Sequence, residues 1–140
     1  MNDPAPPRRP ALTARPLRIL VVDDNPDSAE LLASLFTAVG HEVVMAHDGP
    51  GALTALRGFT PDVAVLDIGL PVMDGYELAT RIRERLGSAA PAFVGMTGYG
   101  QPQDLARSRA AGFKLHFVKP ADPEAVLDAV EQLAGGAQVA

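Results

Sequence analysis

Apolar and polar positions alternate between two periods along this chain. Leu17 to Val22 is apolar at every position but Arg18, the signature of a strand buried on both faces. Asp23-Asp24-Asn25-Pro26 reads as a turn, with Pro26 suited to the first turn of a helix. From Asp27 to Val39, Leu31, Leu32, Leu35, Phe36 and Val39 recur at helical spacing, and Gly40 supplies a C-terminal stop. The same pairing repeats down the chain. Strands are predicted at Glu42–Ala46, Val63–Leu66, Ala92–Met96 and Leu115–Val118. Helices are predicted at Pro50–Arg57, closed by Gly58, then Gly75–Leu86, 102–111 and Asp122–Leu133. Asp122-Pro123 reads as an N-cap followed by the first helical residue. Asp67–Asp74 is a loop.

Five strand–helix pairs define an α/β fold, a (βα)5 unit. Right-handed crossovers make its sheet parallel and doubly wound, with helices on both faces. Residues 17–134 form one domain on this reading. Residues 1–16 form a disordered Pro/Arg-rich tail, and residues 135–140 a frayed end.

In such a sheet, ligands bind outside the carboxyl ends of the strands. Four of the five runs end there on chemistry-bearing residues: Asp23-Asp24, Asp67, Thr97 and Lys119-Pro120. Only the second run, which leads into His47-Asp48-Gly49, lacks such an ending, which suits an edge strand. Asp23, Asp24 and Asp67, crowded together, would raise one another's pKa unless a cation intervened. An all-oxygen set without His or Cys nearby suits Mg2+ or Mn2+ over Zn2+. Asp67, mounted on a strand end, is the candidate nucleophile, able to hold a phosphoryl group as an acyl phosphate. Lys119 would neutralise a phosphoryl oxygen as charge develops, and Thr97 would donate its hydroxyl to another. The main-chain N–H groups of Ile68 and Gly98 would assist, and Gly98 would leave room. A Lys at the end of a buried strand needs a carboxylate to face. Pro120 permits a cis bond that would aim Lys119 inward.

Composition narrows the picture further. The chain has 140 residues, no cysteine and a formal charge of −5. Disulfides, thiolate metal sites and cysteine nucleophiles are therefore excluded. No run approaches the roughly 18 apolar residues that span a bilayer, and residues 1–16 lack the apolar stretch of a secretory signal. A cytoplasmic location is expected. Residues 1–16 hold five of the 13 prolines and carry Arg8, Arg9 and Arg15 against Asp3. The rest carries nine basic and 16 acidic residues. That acidic balance argues against direct nucleic-acid binding by the domain.

The pieces Val-Val-Asp-Asp-Asn at 21–25, Leu-Asp-Ile-Gly-Leu-Pro-Val-Met-Asp-Gly-Tyr-Glu at 66–77, Met-Thr-Gly-Tyr-Gly at 96–100 and Phe-Val-Lys-Pro at 117–120 resemble, in order and spacing, a bacterial response-regulator receiver domain. The resemblance covers roughly residues 17–134. It implies a flavodoxin-like sheet of order 2-1-3-4-5. It implies that Asp67 accepts a phosphoryl group from a sensor histidine kinase or a histidine phosphotransfer protein. Asp24, Asp67 and the Gly69 carbonyl would ligate Mg2+ directly, with Asp23 acting through water. Thr97 and Lys119 would be the switch hydroxyl and ammonium. Partners would read the face built from the 102–111 helix, the fifth strand and the last helix, and a homodimer is a further possible partner. The wording Thr-Gly-Tyr-Gly hints at receivers attached to hybrid kinases. His116 departs from the family pattern: an aromatic usually stands there and swings inward on activation. A swinging histidine would carry a side chain able to titrate near neutral pH. His41 and His47 read as surface residues.

Other readings differ at single positions. An Asp-nucleophile phosphohydrolase places a second acid two residues after the nucleophile, where this chain has Gly69. A flavin mononucleotide binder needs a phosphate loop after the first strand, where Asp23-Asp24 would repel it. A receiver-like module that only binds partners would lack part of the acidic set. No effector domain follows residue 134 in this sequence, so a stand-alone regulator or an excised receiver is expected, working through contact with a downstream protein.

Overall fold

The computed structural model describes residues 16–98, 106, 107 and 109–139. Five parallel strands, β1 (Arg18–Val22), β2 (Glu42–Ala46), β3 (Val63–Asp67), β4 (Ala92–Thr97) and β5 (Phe113–Val118), form one sheet in the order β2-β1-β3-β4-β5. Three helices, α1 (Pro26–Ala38), α2 (Gly49–Ala55) and α3 (Gly75–Leu86), alternate with the strands, and a C-terminal helix (Pro123–Val139) follows β5. Of the helix expected at 102–111, residues 106, 107, 109 and 110 are helical, and 102–105 and 108 lie outside the described residues.

Each sheet face carries its own core. Leu20, Val22, Leu66 and Phe93 pack with Leu78 and Ile82 of α3. Ile19, Val21, Val65 and Val94 pack with Phe36 of α1 and Val126 and Val130 of the C-terminal helix. This two-sided burial explains why β1, β3 and β4 read as continuous apolar runs. β2 is an edge strand, as its missing strand-end motif suggested.

Local chemistry sets the helix starts. The Asn25 side chain accepts from the Asp27 and Ser28 N–H groups, Asp48 from Gly51, Asp74 from Glu77 and Asp122 from Glu124. Gly40, at φ 105°, adopts the left-handed conformation that ends α1.

Two boundaries differ from the sequence reading. β5 begins at Phe113, two residues earlier, because Lys114 is exposed at a register shift opposite Phe93/Val94 and interrupts the apolar pattern. The C-terminal helix runs six residues beyond Leu133, through Val139, where a frayed end was expected. A glycine costs a helix about 1 kcal/mol without removing a backbone donor, so Gly135-Gly136 does not break the ladder as a proline would.

Val72, in the loop between β3 and α3, has φ 70° and is 100% exposed. A β-branched residue gains nothing from that conformation, and no burial offsets it. Val72→Gly is expected to stabilise the fold by about 1 kcal/mol, net of the added freedom of the unfolded chain. Thermal unfolding checks this; a lower melting temperature would contradict it.

Candidate functional site

The carboxyl edge of the sheet brings four sequence segments together. Asp67 is the last residue of β3 and Thr97 the last of β4, both at positions the sequence reading left just outside the strands. Asp23 directly follows β1, and Lys119 directly follows β5. β3 lies between β1 and β4, so Asp67 is flanked on both sides. Asp23, Asp67 and Thr97 are 3%, 6% and 3% exposed, while Asp24 is open to solvent.

The Lys119 ammonium lies 3.2 Å from Asp23 Oδ2 and 3.1 Å from Asp67 Oδ2. The Lys119-Pro120 bond is cis and Lys119 faces inward, as the sequence suggested. Asp23 is held on three sides. Its Oδ1 accepts the Asn25 N–H at 2.9 Å, its own N–H donates to the Ala46 carbonyl, and its carbonyl accepts from His47 Nδ1 at 3.0 Å. His47, exposed as the sequence reading placed it, thus props the turn that carries Asp23 and Asp24.

The backbone after Asp67 departs from expectation. The Ile68 N–H, assigned to the phosphoryl oxygens by resemblance, donates to the Met96 carbonyl at 2.7 Å and is occupied by sheet pairing. The N–H that reaches Asp67 is that of Gly69, which donates to Oδ1 at 3.0 Å. Gly75 clamps this segment from the other side. A Cβ there would come within 2.8 Å of the Asp67 carbonyl oxygen and the Ile68 Cα, so the start of α3 lies directly on the loop. Among the described residues, a Cβ at Gly98 would meet nothing within 4 Å. His116 is half-buried, opposite Gly95 in the β4–β5 register.

One oxygen from each of Asp23, Asp24 and Asp67 lies within 4.8 Å of the others. Among the described residues, the Lys119 ammonium pairs with two of these three carboxylates, Asp23 and Asp67. Burial pulls the Asp23 carboxyl above its ordinary value of 3.8, against the opposing Asn25 N–H and Lys119. For Lys119, burial is the largest single influence and acts downward. The bond to Asp67, with the charges of Asp67 and Asp23, outweighs it, and the net direction is up from 10.5. Both groups therefore favour the fold while protonated. Lys119's contribution is complete below 10.5 and is lost as pH rises through its raised value. Asp23's is complete below 3.8 and is lost as pH rises through its own, so ionised Asp23 burdens the fold at neutral pH. A hard divalent cation fits this all-oxygen, charge-deficient set.

Lys119→Met should lower stability by about 2–3 kcal/mol, below the 3–5 typical of a fully buried pair because Lys119 keeps some solvent contact. Added Mg2+ should recover much of the loss. Urea midpoints with and without MgCl2 test this, and an unchanged midpoint in metal-free buffer would contradict it.

The sequence reading misplaced His41. It is buried: its Nδ1 accepts the Leu17 N–H at 3.0 Å, and its Nε2 lies 2.7 Å from Glu131 Oε2.

Among the described residues, no helix is long and apolar enough to cross a membrane. Comparison with known proteins adds a family. The chain is 36% identical over 121 residues to a 14.6 kDa protein of Leptolyngbya boryana, covering 86% of this chain and 92% of that one. It is 37% identical over 103 residues to the Regulator of RpoS of Escherichia coli K12, covering 74% of this chain and 30% of that protein. It is 36% identical over 116 residues to the sensor histidine kinase RcsC of Salmonella typhi, covering 83% of this chain and only 12% of the kinase. Among solved structures, the chemotaxis response regulator CheY4 of Vibrio cholerae superposes with a TM-score of 0.76 at 26% identity, over 85% of this chain and 99% of that one. The signal receiver domain of a histidine kinase from Syntrophus aciditrophicus gives 0.75 at 27% identity, over 86% and 91%. Residues 19–131 match the model of the response regulator receiver domain, and the chain belongs to that family.

Proposed function

We propose that Asp67 is a phosphoacceptor. The observation that carries this reading is its carboxylate at the end of β3, 3.1 Å from the Lys119 ammonium and beside Asp23 and Asp24. A phosphohistidine of a sensor kinase or phosphotransfer protein is the donor. An Asp67 carboxylate oxygen forms a bond to phosphorus as the phosphorus–nitrogen bond breaks, and the imidazole leaves with the bonding pair. Lys119, already on Asp67 Oδ2, neutralises charge developing on a phosphoryl oxygen. The Gly69 N–H fixes Oδ1 and with it the orientation of the carboxylate. Asp23, Asp24, Asp67 and the Gly69 carbonyl would hold Mg2+, or Mn2+, which would supply charge neutralisation for the incoming phosphoryl group. Gly69 offers no side-chain acid to relay a proton to water, which suits storage of the phosphoryl group over turnover of substrates.

Residues 17–134 are the receiver domain on this reading, with 1–16 and 135–140 as flanking segments. Thr97 and His116 are its switch residues. Thr97 moves toward the phosphoryl group, and His116 moves with β5 to change the surface that a downstream protein reads. Gly98 contributes a main-chain N–H, and the Ile68 N–H becomes available once it parts from the Met96 carbonyl.

The test is direct. The purified protein is incubated with acetyl phosphate, with MgCl2 or with EDTA, and its intact mass is measured. Addition of one phosphoryl group with Mg2+ and none with EDTA is expected. If a phosphorylated donor kinase also fails to transfer, the reading falls.

A further inference from the structure

Arg107 stands in the helical segment ahead of β5, yet its guanidinium lies on another helix. Its central carbon sits 4.2 Å from the ring centroid of buried Tyr76, and one of its nitrogens lies 3.5 Å from Asp74 Oδ2. Both partners belong to the start of α3. Asp74 Oδ1 caps that helix by accepting the Glu77 N–H at 2.9 Å, which leaves Oδ2 to face the arginine. Between the two partners stands Gly75. Its N–H donates to the Ile68 carbonyl at 3.0 Å, and its Cα lies against the Asp67–Ile68 backbone. Three consecutive residues therefore join Arg107 on one side to the Asp67 loop on the other.

The end of the same helical segment is pinned. Arg83 of α3 donates to the Ala111 carbonyl, lies 5.5 Å over the Phe93 ring and abuts Gly112, where a Cβ would come within 2.7 Å of its Nη1. Arg107 stands one helical turn before that point, since its carbonyl accepts the Ala111 N–H at 2.9 Å. The two arginines differ in kind. The Arg83 bond is half-buried and holds a backbone carbonyl. The Arg107 side chain is 63% exposed, so its ion pair and ring contact are weak enough to open.

We infer that Arg107 is a positioning residue, a latch that couples this helical segment to the loop presenting Asp67 and holds both in the resting arrangement. The inference rests on the reading of Asp67 as phosphoacceptor, and it adds a restraint against which Thr97 moves. Thr97 ends β4, and the chain leads from it to Arg107. With Ala111 pinned and Arg107 latched, movement of Thr97 toward Asp67 pulls on the latch. A contact made better in one state biases the population toward that state. By reciprocity, a phosphoryl group on Asp67 loosens the latch, and opening the latch favours the arrangement that phosphorylation favours.

Arg107→Met in the full chain removes the charge and keeps an extended side chain. Uptake from acetyl phosphate with MgCl2, followed by intact mass, should speed about fivefold, the weight of one exposed ring contact and one exposed ion pair. The urea midpoint should barely move. Arg107→Lys keeps the charge and should stay within about twofold of wild type. Asp74→Asn keeps the capping oxygen and loses only the charge, so it should give part of the effect and add little to Arg107→Met. In protein without metal or phosphodonor, Arg107→Met should also shift the Ile68 and Gly69 amide signals in NMR spectra. A merely structural contact would move those of Asp74 to Glu77 alone. Unmoved Ile68 and Gly69 signals overturn the inference, and so does an uptake rate equal to or below that of wild type. Absence of uptake by the wild-type protein, from acetyl phosphate and from a phosphorylated kinase, strikes the reading of Asp67 instead, and the amide shifts then decide the latch by themselves.

Discussion

Asp67→Asn is expected to abolish phosphoryl uptake while leaving the fold intact. The amide keeps an oxygen at the Oδ1 position to accept the Gly69 N–H, so the loop after β3 stays in place. It removes the negative charge facing Lys119, so the stability change is modest and its sign depends on whether a cation is bound. The chemistry is lost because a neutral amide does not attack phosphorus. Uptake should fall at least about a thousandfold, the order seen when a nucleophile is removed from an otherwise complete site. Intact mass after acetyl phosphate treatment reads this, and urea unfolding confirms that the variant is folded. Labelling of folded Asp67→Asn at the wild-type rate would place the acceptor elsewhere. The contrast with Lys119→Met is informative. Losing the ammonium removes charge neutralisation but leaves the nucleophile, so uptake should slow by about a hundredfold, as for loss of one electrostatic donor.

Most of this site was legible in the sequence because parallel strands announce their own ends. A strand buried on both faces must be an apolar run. The first chemistry-bearing residue after each run therefore marks the same edge of the sheet. Asp23, Asp67, Thr97 and Lys119 were placed together this way, although they are far apart in the chain. What stayed hidden depends on contacts that leave no local trace. Which backbone N–H faces Asp67 is decided by β3–β4 pairing, which occupies Ile68 and frees Gly69. The start of β5 was missed because Lys114 breaks the pattern at a register shift that involves β4. His41 was misread for the same reason. Between Gly40 and Glu42 it has the neighbours of a surface loop, and its partner lies 90 residues away.

That misread histidine carries the largest stability prediction. His41 and Glu131 have side chains 0% and 2% exposed. Because Nδ1 accepts the Leu17 N–H, the ring proton sits on Nε2, which donates to Glu131 Oε2. One side chain thus links the entry to β1, the start of β2 and the C-terminal helix. His41→Ala leaves the Leu17 N–H without its acceptor and the buried Glu131 carboxylate without this donor. The expected loss is about 3–5 kcal/mol, the cost of removing one partner of a buried pair. Such a loss is a large share of a single domain's roughly 5–15 kcal/mol, so the variant should unfold at much lower urea. Glu131→Gln separates the causes. Alone it should cost about 1 kcal/mol, the worth of an ordinary hydrogen bond. Added to His41→Ala it should recover part of the loss, because a neutral amide is less costly to bury than a carboxylate that has lost this donor. A double-mutant cycle from urea unfolding measures that coupling. A His41→Ala protein within about 1 kcal/mol of wild type, the size of a single ordinary hydrogen bond, would show that the pair does not hold the C-terminal helix to the sheet.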